Sequence, residues 1–232
     1  MKRLHWFALM PALLAAGCGD SGPPAAKEKD KDKGYSVFSK VGSAVNASGG
    51  PIVKVPEKRT PTNPDNPIVL IDTSMGPIKA ELFADKAPGT VKNFLDYVDE
   101  KFFDGTVFHR VMPGFMIQGG GFEPGMKAKP TKGMIKNESD NGLINTKGTL
   151  AMARQSPPDS ATCQFFINTV DNAFLDRANS KDKVGYCVFA QVLEGMDVVD
   201  KIKRVPTSAQ GPHEAVPTKD VVIQSIRRAD AK

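Results

Sequence analysis

The stretch FHRVMPGFMIQGGGF, residues 108–122, alternates apolar and polar residues on both sides of a Pro113–Gly114 pair. Alternation is typical of β-strands, and a Pro–Gly pair is typical of a tight turn. The stretch therefore predicts two neighbouring strands of a sheet. Strict alternation would place Phe108 and Arg110 on one face of the first strand. Such an arginine either covers apolar surface with its stem or donates hydrogen bonds beside an apolar pocket.

The glycines at the end of this stretch, Gly119–Gly121, do not indicate a phosphate-binding loop. Such a loop needs a helix directly after its glycines and a GxxxxGK[ST] pattern, and neither follows here. A bend at the end of a strand pair explains the glycines instead. On the second strand, alternation places Met116 and Gln118 on one face, with Phe115 and Ile117 on the other.

Regular patterns extend on both sides of this stretch, over residues 67–228. Strands are predicted at 68–72, 78–83, 106–111, 115–120, 148–153, 164–169, 185–194 and 221–228, and residues 122–146 are predicted to be a solvated loop. Helices are predicted at 87–103 and 195–204, where apolar residues follow helical spacing. Short antiparallel strands separated by Gly/Pro turns predict a mainly β barrel or sandwich. We favour a closed eight-stranded antiparallel β-barrel capped by two α-helices, because two helices suit the two ends of a barrel.

Composition and charge argue against several classes of function. Of 232 residues, 40% are hydrophobic and 25% are charged, as in a soluble globular protein. The net charge is +5, but lysines alternate with acidic residues, as in KEKDKDK, so no nucleic-acid partner is expected. The histidines are scattered and the cysteines lack CxxC spacing, so no metal site is predicted. Cys163 and Cys187 are predicted to be small buried apolar residues, with a disulfide between them as the open alternative.

The N-terminal sequence MKRLHWFALMPALLAAGC, residues 1–18, has the features of a secretory signal. Two basic residues precede an apolar run from Leu4 to Ala16, which is too short to cross a bilayer core of roughly 30 Å as a helix. The end LAAGC is similar to a bacterial lipobox. Residues 1–17 are therefore predicted to be removed and Cys18 to be lipidated, with ordinary cleavage by a signal peptidase as the alternative.

The sequence after Cys18 is rich in small, charged and proline residues as far as residue 66. Such a composition buries too little apolar surface to fold by itself. Residues 18–66 are therefore predicted to be a flexible linker, either lipid-anchored or free, and 229–232 a C-terminal tail. The predicted location is a bacterial membrane, facing the periplasm or the outside, or in the alternative the soluble periplasm.

The body of the chain resembles the cyclophilin-type peptidyl-prolyl cis-trans isomerases, most closely their bacterial periplasmic branch. The resemblance spans residues 67–228 and rests on ordered segments: FHRVMPGFMIQGG (108–120), GTLAMAR (148–154), SATCQFFINT (160–169), NAFLD (172–176) and YCVFAQV (186–192). It implies a cyclophilin-like barrel. It also implies acceleration of rotation about X–Pro bonds, without a cofactor, in proline-containing polypeptide clients outside the cytoplasm.

The resemblance also implies roles for individual positions. Arg110 matches the family's catalytic arginine, and Gln118 matches the glutamine that hydrogen-bonds the substrate backbone and steadies that arginine. The pocket for the proline ring is matched by Phe115, Met116, Phe166 and Leu175. The residues that match the wall holding the residue before proline are Ala153, Arg154 and Gln164. In eukaryotic members an asparagine stands in place of Arg154 and binds through its backbone. Phe108 is expected to line the site as well, and His109 to be structural.

Two further substrate-binding positions depart from the eukaryotic pattern. Phe174 stands where many eukaryotic members have a tryptophan that contacts cyclosporin, and Tyr186 stands where they have a histidine at the pocket rim. Cyclosporin binding is therefore predicted to be weak. The alternative to an enzyme is a proline-peptide binding module or chaperone of the same shape without turnover.

Overall fold

A computed structural model describes residues 59–229. The predicted signal peptide 1–17, the predicted lipidation site Cys18 and most of the predicted linker lie outside the described residues, as do 230–232. The strands are β1 (Ile68–Thr73), β2 (Gly76–Leu82), β3 (Thr106–Met112), β4 (Met116–Gly119), β5 (Phe122–Glu123), β6 (Lys127–Ala128), β7 (Thr149–Met152), β8 (Phe165–Asn168), β9 (Val188–Glu194), β10 (Thr207–Gln210), β11 (His213–Pro217) and β12 (Val222–Arg228). The helices are α1 (Pro88–Asp99) and α2 (Met196–Ile202), with a short 3-10 helix at Ala173–Leu175.

Eight of these strands close into an antiparallel barrel in the order β1-β12-β3-β4-β8-β7-β9-β2. The predicted closed eight-stranded barrel with two helices is confirmed. Its interior is filled by rows of side chains in register across neighbouring strands. One row consists of Val111, Ile117, Ile167 and Leu150, all fully buried.

Helix α1 packs on the barrel through the apolar face that its spacing predicts. The ring of Phe94 lies 5.1 Å from that of Phe103, 5.5 Å from Phe165 and 5.1 Å from Phe189, measured between centroids. Because Phe165 and Phe189 lie on β8 and β9 inside the barrel, these contacts join the helix to the barrel core. Each aromatic pair adds stability beyond the area it buries, on the order of 0.5–1.5 kcal/mol.

The first turn of α1 is capped from a distant part of the chain. The Glu138 carboxylate accepts hydrogen bonds from the backbone N–H groups of Gly89 at 3.1 Å and Thr90 at 2.8 Å. A negative charge at this end also complements the helix dipole. Glu138 lies within 122–146, so this predicted solvated loop has a structural role and also contains the β5–β6 hairpin.

Helix α1 ends earlier than predicted, and two hairpins were not predicted. The predicted helix runs to residue 103, whereas α1 ends at Asp99, and Lys101 has a left-handed φ of 55°. The chain then turns so that Phe103 enters the core instead of continuing the helix. The strands of β5–β6 have two residues each and those of β10–β11 four and five, which is too short for alternation to distinguish them from loops.

Residues 59–66 lie against the barrel, although the sequence predicts them to be part of the linker. The carboxylate of Glu81, fully buried on β2, accepts hydrogen bonds from this segment. The donors are the Thr62 N–H at 2.9 Å, the Asn63 N–H at 3.1 Å and the Asn66 side-chain amide at 2.9 Å. On the other side, Gln191 donates to the same carboxylate at 3.0 Å. Glu81 thus holds this segment to the sheet.

Within residues 59–229, no helix has both the length and the apolar character needed to cross a bilayer.

Cys163 and Cys187 are both buried, as predicted, and the structure holds them as free thiols rather than as the alternative disulfide. Burial raises the pKa of each thiol to about 11. Because only the thiolate reacts readily, we expect both to be protected from alkylating and disulfide reagents at pH 8. In a Cys18→Ser protein, native thiols should react at least roughly 100-fold more slowly than thiols in denaturant. Rapid labelling of either thiol in the native protein would contradict this.

Candidate active site

A β-bulge in β3 sets the position of Arg110. Phe108 pairs with Gly119 on β4, and Arg110 pairs with the next residue, Gln118, so His109 is an extra residue in the ladder. Paired residues share a face, and Gly119 and Gln118 point to opposite faces. Phe108 therefore lies inside the barrel, fully buried, while Arg110 lies on the outer face. The expectations that these two residues share a face, and that Phe108 lines the site, are wrong, because the bulge interrupts the alternation.

The outer face of the barrel presents a row of residues from four neighbouring strands. Arg110 on β3 is opposite Gln118 on β4, which is opposite Phe166 on β8, which is opposite Ala151 on β7. Side chains paired in this way have Cβ atoms roughly 4.5–5.5 Å apart. The row therefore places a guanidinium, an amide and an aromatic ring side by side on a rigid sheet.

An apolar cluster surrounds Phe166 on this outer face. Its buried members include Met116, Phe166 and Leu175, and its partly buried members include Phe115, Ala153 and Tyr186. All six were predicted as substrate-binding residues. The exposed Phe174 adjoins the cluster, because its ring lies 5.5 Å from that of Phe115. The structure therefore brings these predicted residues together on one surface.

Five members of the apolar cluster were not predicted as site residues: Phe83, Ala151 and Val188, which are buried, and Met112 and Leu143, which are partly buried. Met112 follows Arg110 by two residues on β3, so alternation within the site strand is a signal that could have identified it. Leu143 comes from the segment between β6 and β7, and nothing in its local sequence marks it as part of the site.

Arg110 is partly buried, yet its guanidinium makes no hydrogen bond or ion pair with any residue in the part of the chain that the structure describes. By contrast, Arg227 and Arg228 on β12 each form a two-pronged contact with an aspartate. Gln118, beside Arg110, donates a hydrogen bond from Nε2 to Oε1 of Gln164 at 2.8 Å. The site thus contains a positive group with all its donors available and a neighbouring amide of fixed orientation.

The side chain of Arg154 is engaged within the protein and is only 4% exposed. Its guanidinium donates to the carbonyl oxygens of Gly185 and Gln155, each at 3.0 Å, and to the carboxylate of Asp182. The charged group of Arg154 is therefore committed to contacts within the protein.

A buried amide network supports the site from below and was not predicted. The Asn168 side chain donates to Thr149 Oγ1 at 2.9 Å and accepts from Asn172 at 2.7 Å. Asn172 also donates to the backbone carbonyl of Phe115 at 2.9 Å. Buried amides are stable only when they are paired in this way. The network therefore fixes Phe115 relative to β8 and the 3-10 helix that carries Phe174 and Leu175.

His109 belongs neither to the apolar cluster nor to the paired row that carries Arg110. Burial, with the nearby His213 and Arg110, lowers the pKa of His109 to about 4, and its ring lies 4.6 Å from that of Phe122. The imidazole is therefore neutral at pH 7 and packs against an aromatic ring, and its structural role remains a prediction. Among residues 59–229, no group of three His, Cys, Asp or Glu side chains converges as a metal site requires.

Comparison with known proteins identifies one family. Residues 68–228 match the family described as cyclophilin type peptidyl-prolyl cis-trans isomerase/CLD. The chain is 61% identical over 160 residues to peptidyl-prolyl cis-trans isomerase B of Escherichia coli strain K12, covering 68% of this chain and 98% of that protein. It is 57% identical over 162 residues to a peptidyl-prolyl cis-trans isomerase of Acinetobacter baylyi, covering 70% and 85%.

Solved structures agree with this comparison. A Cryptosporidium parvum cyclophilin type peptidyl-prolyl cis-trans isomerase, crystallised in the presence of the dipeptide Ala-Pro, superimposes with a TM-score of 0.61 at 26% identity. The match covers 70% of this chain and 99% of that one.

Proposed function

The chain belongs to the cyclophilin family of peptidyl-prolyl cis-trans isomerases, and on that premise we propose that Arg110 accelerates X–Pro rotation by hydrogen bonding to the prolyl nitrogen. The observation that carries this mechanism is the unpaired guanidinium of Arg110 beside the apolar cluster around Phe166. Isomerisation breaks no covalent bond, so these groups need only bind and orient the peptide.

The physical problem is the partial double bond of the amide. Rotation about it faces a barrier of roughly 18–20 kcal/mol, and the unaided reaction takes on the order of tens to hundreds of seconds. In the twisted state the nitrogen lone pair is no longer delocalised, so the nitrogen becomes a hydrogen-bond acceptor. A guanidinium aimed at this nitrogen binds the twisted amide better than either planar form. Lowering the barrier by about 5–7 kcal/mol would accelerate rotation roughly 10⁴–10⁵-fold.

The neighbouring residues hold the peptide while one side of the bond turns. The proline ring would occupy the surface formed by Phe115, Met116, Phe166 and Leu175. Gln118, fixed by its hydrogen bond to Gln164, would hold the peptide backbone close to Arg110. The exposed Phe174 and the half-buried Tyr186 would contact the client at the rim. Their replacement of a tryptophan and a histidine is the reason to expect weak cyclosporin binding.

The direct test measures both turnover and binding of an Ala-Pro-Phe reporter peptide with the wild-type protein. We expect saturable acceleration of cis-to-trans conversion, because the enzyme binds the peptide before its prolyl bond turns. Peptide binding without acceleration would refute the enzyme and leave the proline-binding module.

We further propose that the enzyme is exported and held at a bacterial membrane by a lipid on Cys18, and that its clients are exported proteins. The support is the order of a basic start, a short apolar run and the LAAGC end in residues 1–18.

Metabolic labelling with radioactive palmitate tests this anchor. Wild-type protein expressed in a Gram-negative host should incorporate label and sediment with membranes, whereas Cys18→Ser should do neither. A Cys163→Ser protein is the matched control, since it removes a buried thiol and should remain labelled. An unlabelled, soluble wild-type protein would favour ordinary signal cleavage.

A further inference from the structure

The loop between the 3-10 helix and β9 carries Tyr186 of the apolar cluster and is bound by the side chain of Arg154. The side chain of Arg154 reaches the two residues that define this loop, Asp182 through the carboxylate and Gly185 through its carbonyl oxygen at 3.0 Å. Asp182 also accepts hydrogen bonds from the backbone N–H groups of Val184 at 3.0 Å and Gly185 at 3.2 Å. One carboxylate therefore both closes the turn of the loop and binds the arginine.

Gly185 leaves the loop little freedom to take another path. Its φ is +72°, and a Cβ atom there would lie 2.5 Å from the backbone nitrogen of Arg177. Only glycine fits such a position. Burial opposes ionisation of Asp182, but the hydrogen bonds from Arg154 and the two N–H groups outweigh it and hold the pKa of this carboxyl well below its usual range. Asp182 is therefore charged at neutral pH.

The other face of Arg154 meets an aromatic ring of the site. The Cζ atom of Arg154 lies 4.7 Å from the centroid of the Tyr186 ring, which is within cation–π distance. The Tyr186 ring in turn meets Phe166 edge-on, with centroids 5.8 Å apart and planes at 74°. Contacts thus run without a gap from Asp182 through Arg154 and Tyr186 to Phe166.

We propose that Asp182 and Arg154 form a clamp that holds the Tyr186 ring against Phe166 and so shapes the surface on which the proline ring binds. Both side chains act as positioning residues through Tyr186, and neither needs to touch the client with its charged group. The role of Phe166 rests on the proposed function, whereas the clamp itself is a property of the fold.

The first test is Asp182→Asn in the full-length protein, which keeps the size of the side chain and an oxygen for the turn but removes the charge that binds Arg154. We expect kcat/KM for the Ala-Pro-Phe peptide to fall about three- to tenfold, mainly through a higher KM, because the binding surface is less well ordered. Arg154→Lys should have a similar effect, since an ammonium cannot stack on a ring and bridge several acceptors as a planar guanidinium does. Asp197→Asn is the control, because it removes an exposed partner of Lys201 on α2 and should leave kcat/KM unchanged.

The second test asks whether the clamp acts through Tyr186. In a Tyr186→Leu protein, adding Asp182→Asn should change kcat/KM by less than about 1.5-fold, because the ring that the clamp positions is gone. Tyr186→Phe keeps the ring, and there Asp182→Asn should retain its full effect. If Asp182→Asn lowered kcat/KM in the Tyr186→Leu protein by the same factor as in the wild type, the proposal would be wrong. Asp182 would then affect the site without acting through the Tyr186 ring.

A readout independent of catalysis separates the clamp from the enzymatic mechanism. The chain has three tyrosines, so labelling with 3-fluorotyrosine gives few ¹⁹F resonances, and Tyr186→Phe assigns the one from Tyr186. Asp182→Asn should shift or broaden this resonance, and Asp197→Asn should not. An unchanged Tyr186 resonance would refute the clamp. A shifted resonance in a protein that binds the peptide but does not accelerate rotation would support the clamp and refute the proposed function.

Discussion

Replacing Arg110 with alanine is expected to lower kcat/KM for an Ala-Pro-Phe peptide by about 10²–10³-fold, the range typical for loss of one donor to a transition state. The guanidinium is the positive group of the site, and it makes no bond to another described residue that its removal would break. The fold should therefore persist, with an unchanged circular dichroism spectrum and melting temperature. Peptide binding should weaken much less than turnover, because planar ground states do not offer the nitrogen lone pair.

Two further variants make this test specific. Arg110→Lys should recover only part of the activity, since an ammonium presents one compact charge where the planar guanidinium can donate to the nitrogen and to a carbonyl together. Arg204→Ala removes an exposed arginine next to α2 and should turn over at the wild-type rate. Equal rates for wild type and Arg110→Ala would keep the activity but exclude the proposed mechanism.

The largest effect on stability is expected for Glu81→Ala. This carboxylate is fully buried and accepts hydrogen bonds from Thr62, Asn63, Asn66 and Gln191, so its removal leaves several donors without an acceptor. The free energy of unfolding should fall by roughly 3–5 kcal/mol, because each donor left buried without an acceptor costs about 1–3 kcal/mol. Glu81→Gln keeps one acceptor oxygen and should lose less. Urea denaturation measures both, and Glu214→Gln on the exposed part of β11 should change stability by less than about 0.5 kcal/mol.

The same carboxylate should make stability depend on acid pH. Burial opposes ionisation of Glu81, but hydrogen bonds from Asn66, Thr62 and Gln191 outweigh it, so its pKa in the folded state lies below the ordinary value of 4.5. A lowered pKa stabilises the fold above the unfolded-state pKa, and this contribution is lost as the pH falls through the folded-state value. The wild type should therefore lose its advantage over Glu81→Gln below pH of about 4.5. If the difference in unfolding free energy between wild type and Glu81→Gln stayed constant from pH 7 to pH 3, the charge of Glu81 would not be the source of its stabilising effect.

The barrel could be predicted from sequence because its cause is local and periodic. The spacing of apolar residues predicts strands such as Val222–Arg228 and the apolar face of α1. The order of the sequence motifs indicates the family. The bulge at His109 could not be predicted, because two alternating strands look the same whether or not one extra residue interrupts their pairing. Because of this extra residue, Phe108 lies inside the barrel while Arg110 lies on its outer face.

Other features of the site depend on contacts between distant residues. Arg154 and Asp182 are 28 positions apart, and nothing in either local sequence indicates that they meet. The hydrogen bonds of Asn168 with Thr149 and Asn172 could not be predicted from the local sequence either. An asparagine in a strand can be exposed to solvent or buried in such a network, and its neighbours in sequence do not distinguish the two. Composition predicted residues 59–66 to be linker, because their anchor, Glu81, lies on another element.

Arg110 and Phe166 lie on the outer face of a closed barrel, and this location determines which polypeptides can bind to them. A site inside the barrel would require a client to enter by one of its ends. A site on the outer wall allows a long polypeptide to be engaged laterally at any point along its length. A proline in the middle of a partly folded protein is then as accessible as one near a terminus, and release needs no unthreading. If the proposed site is the active site, the enzyme would be able to act on proline bonds in polypeptides of any size, because engagement needs no free chain end.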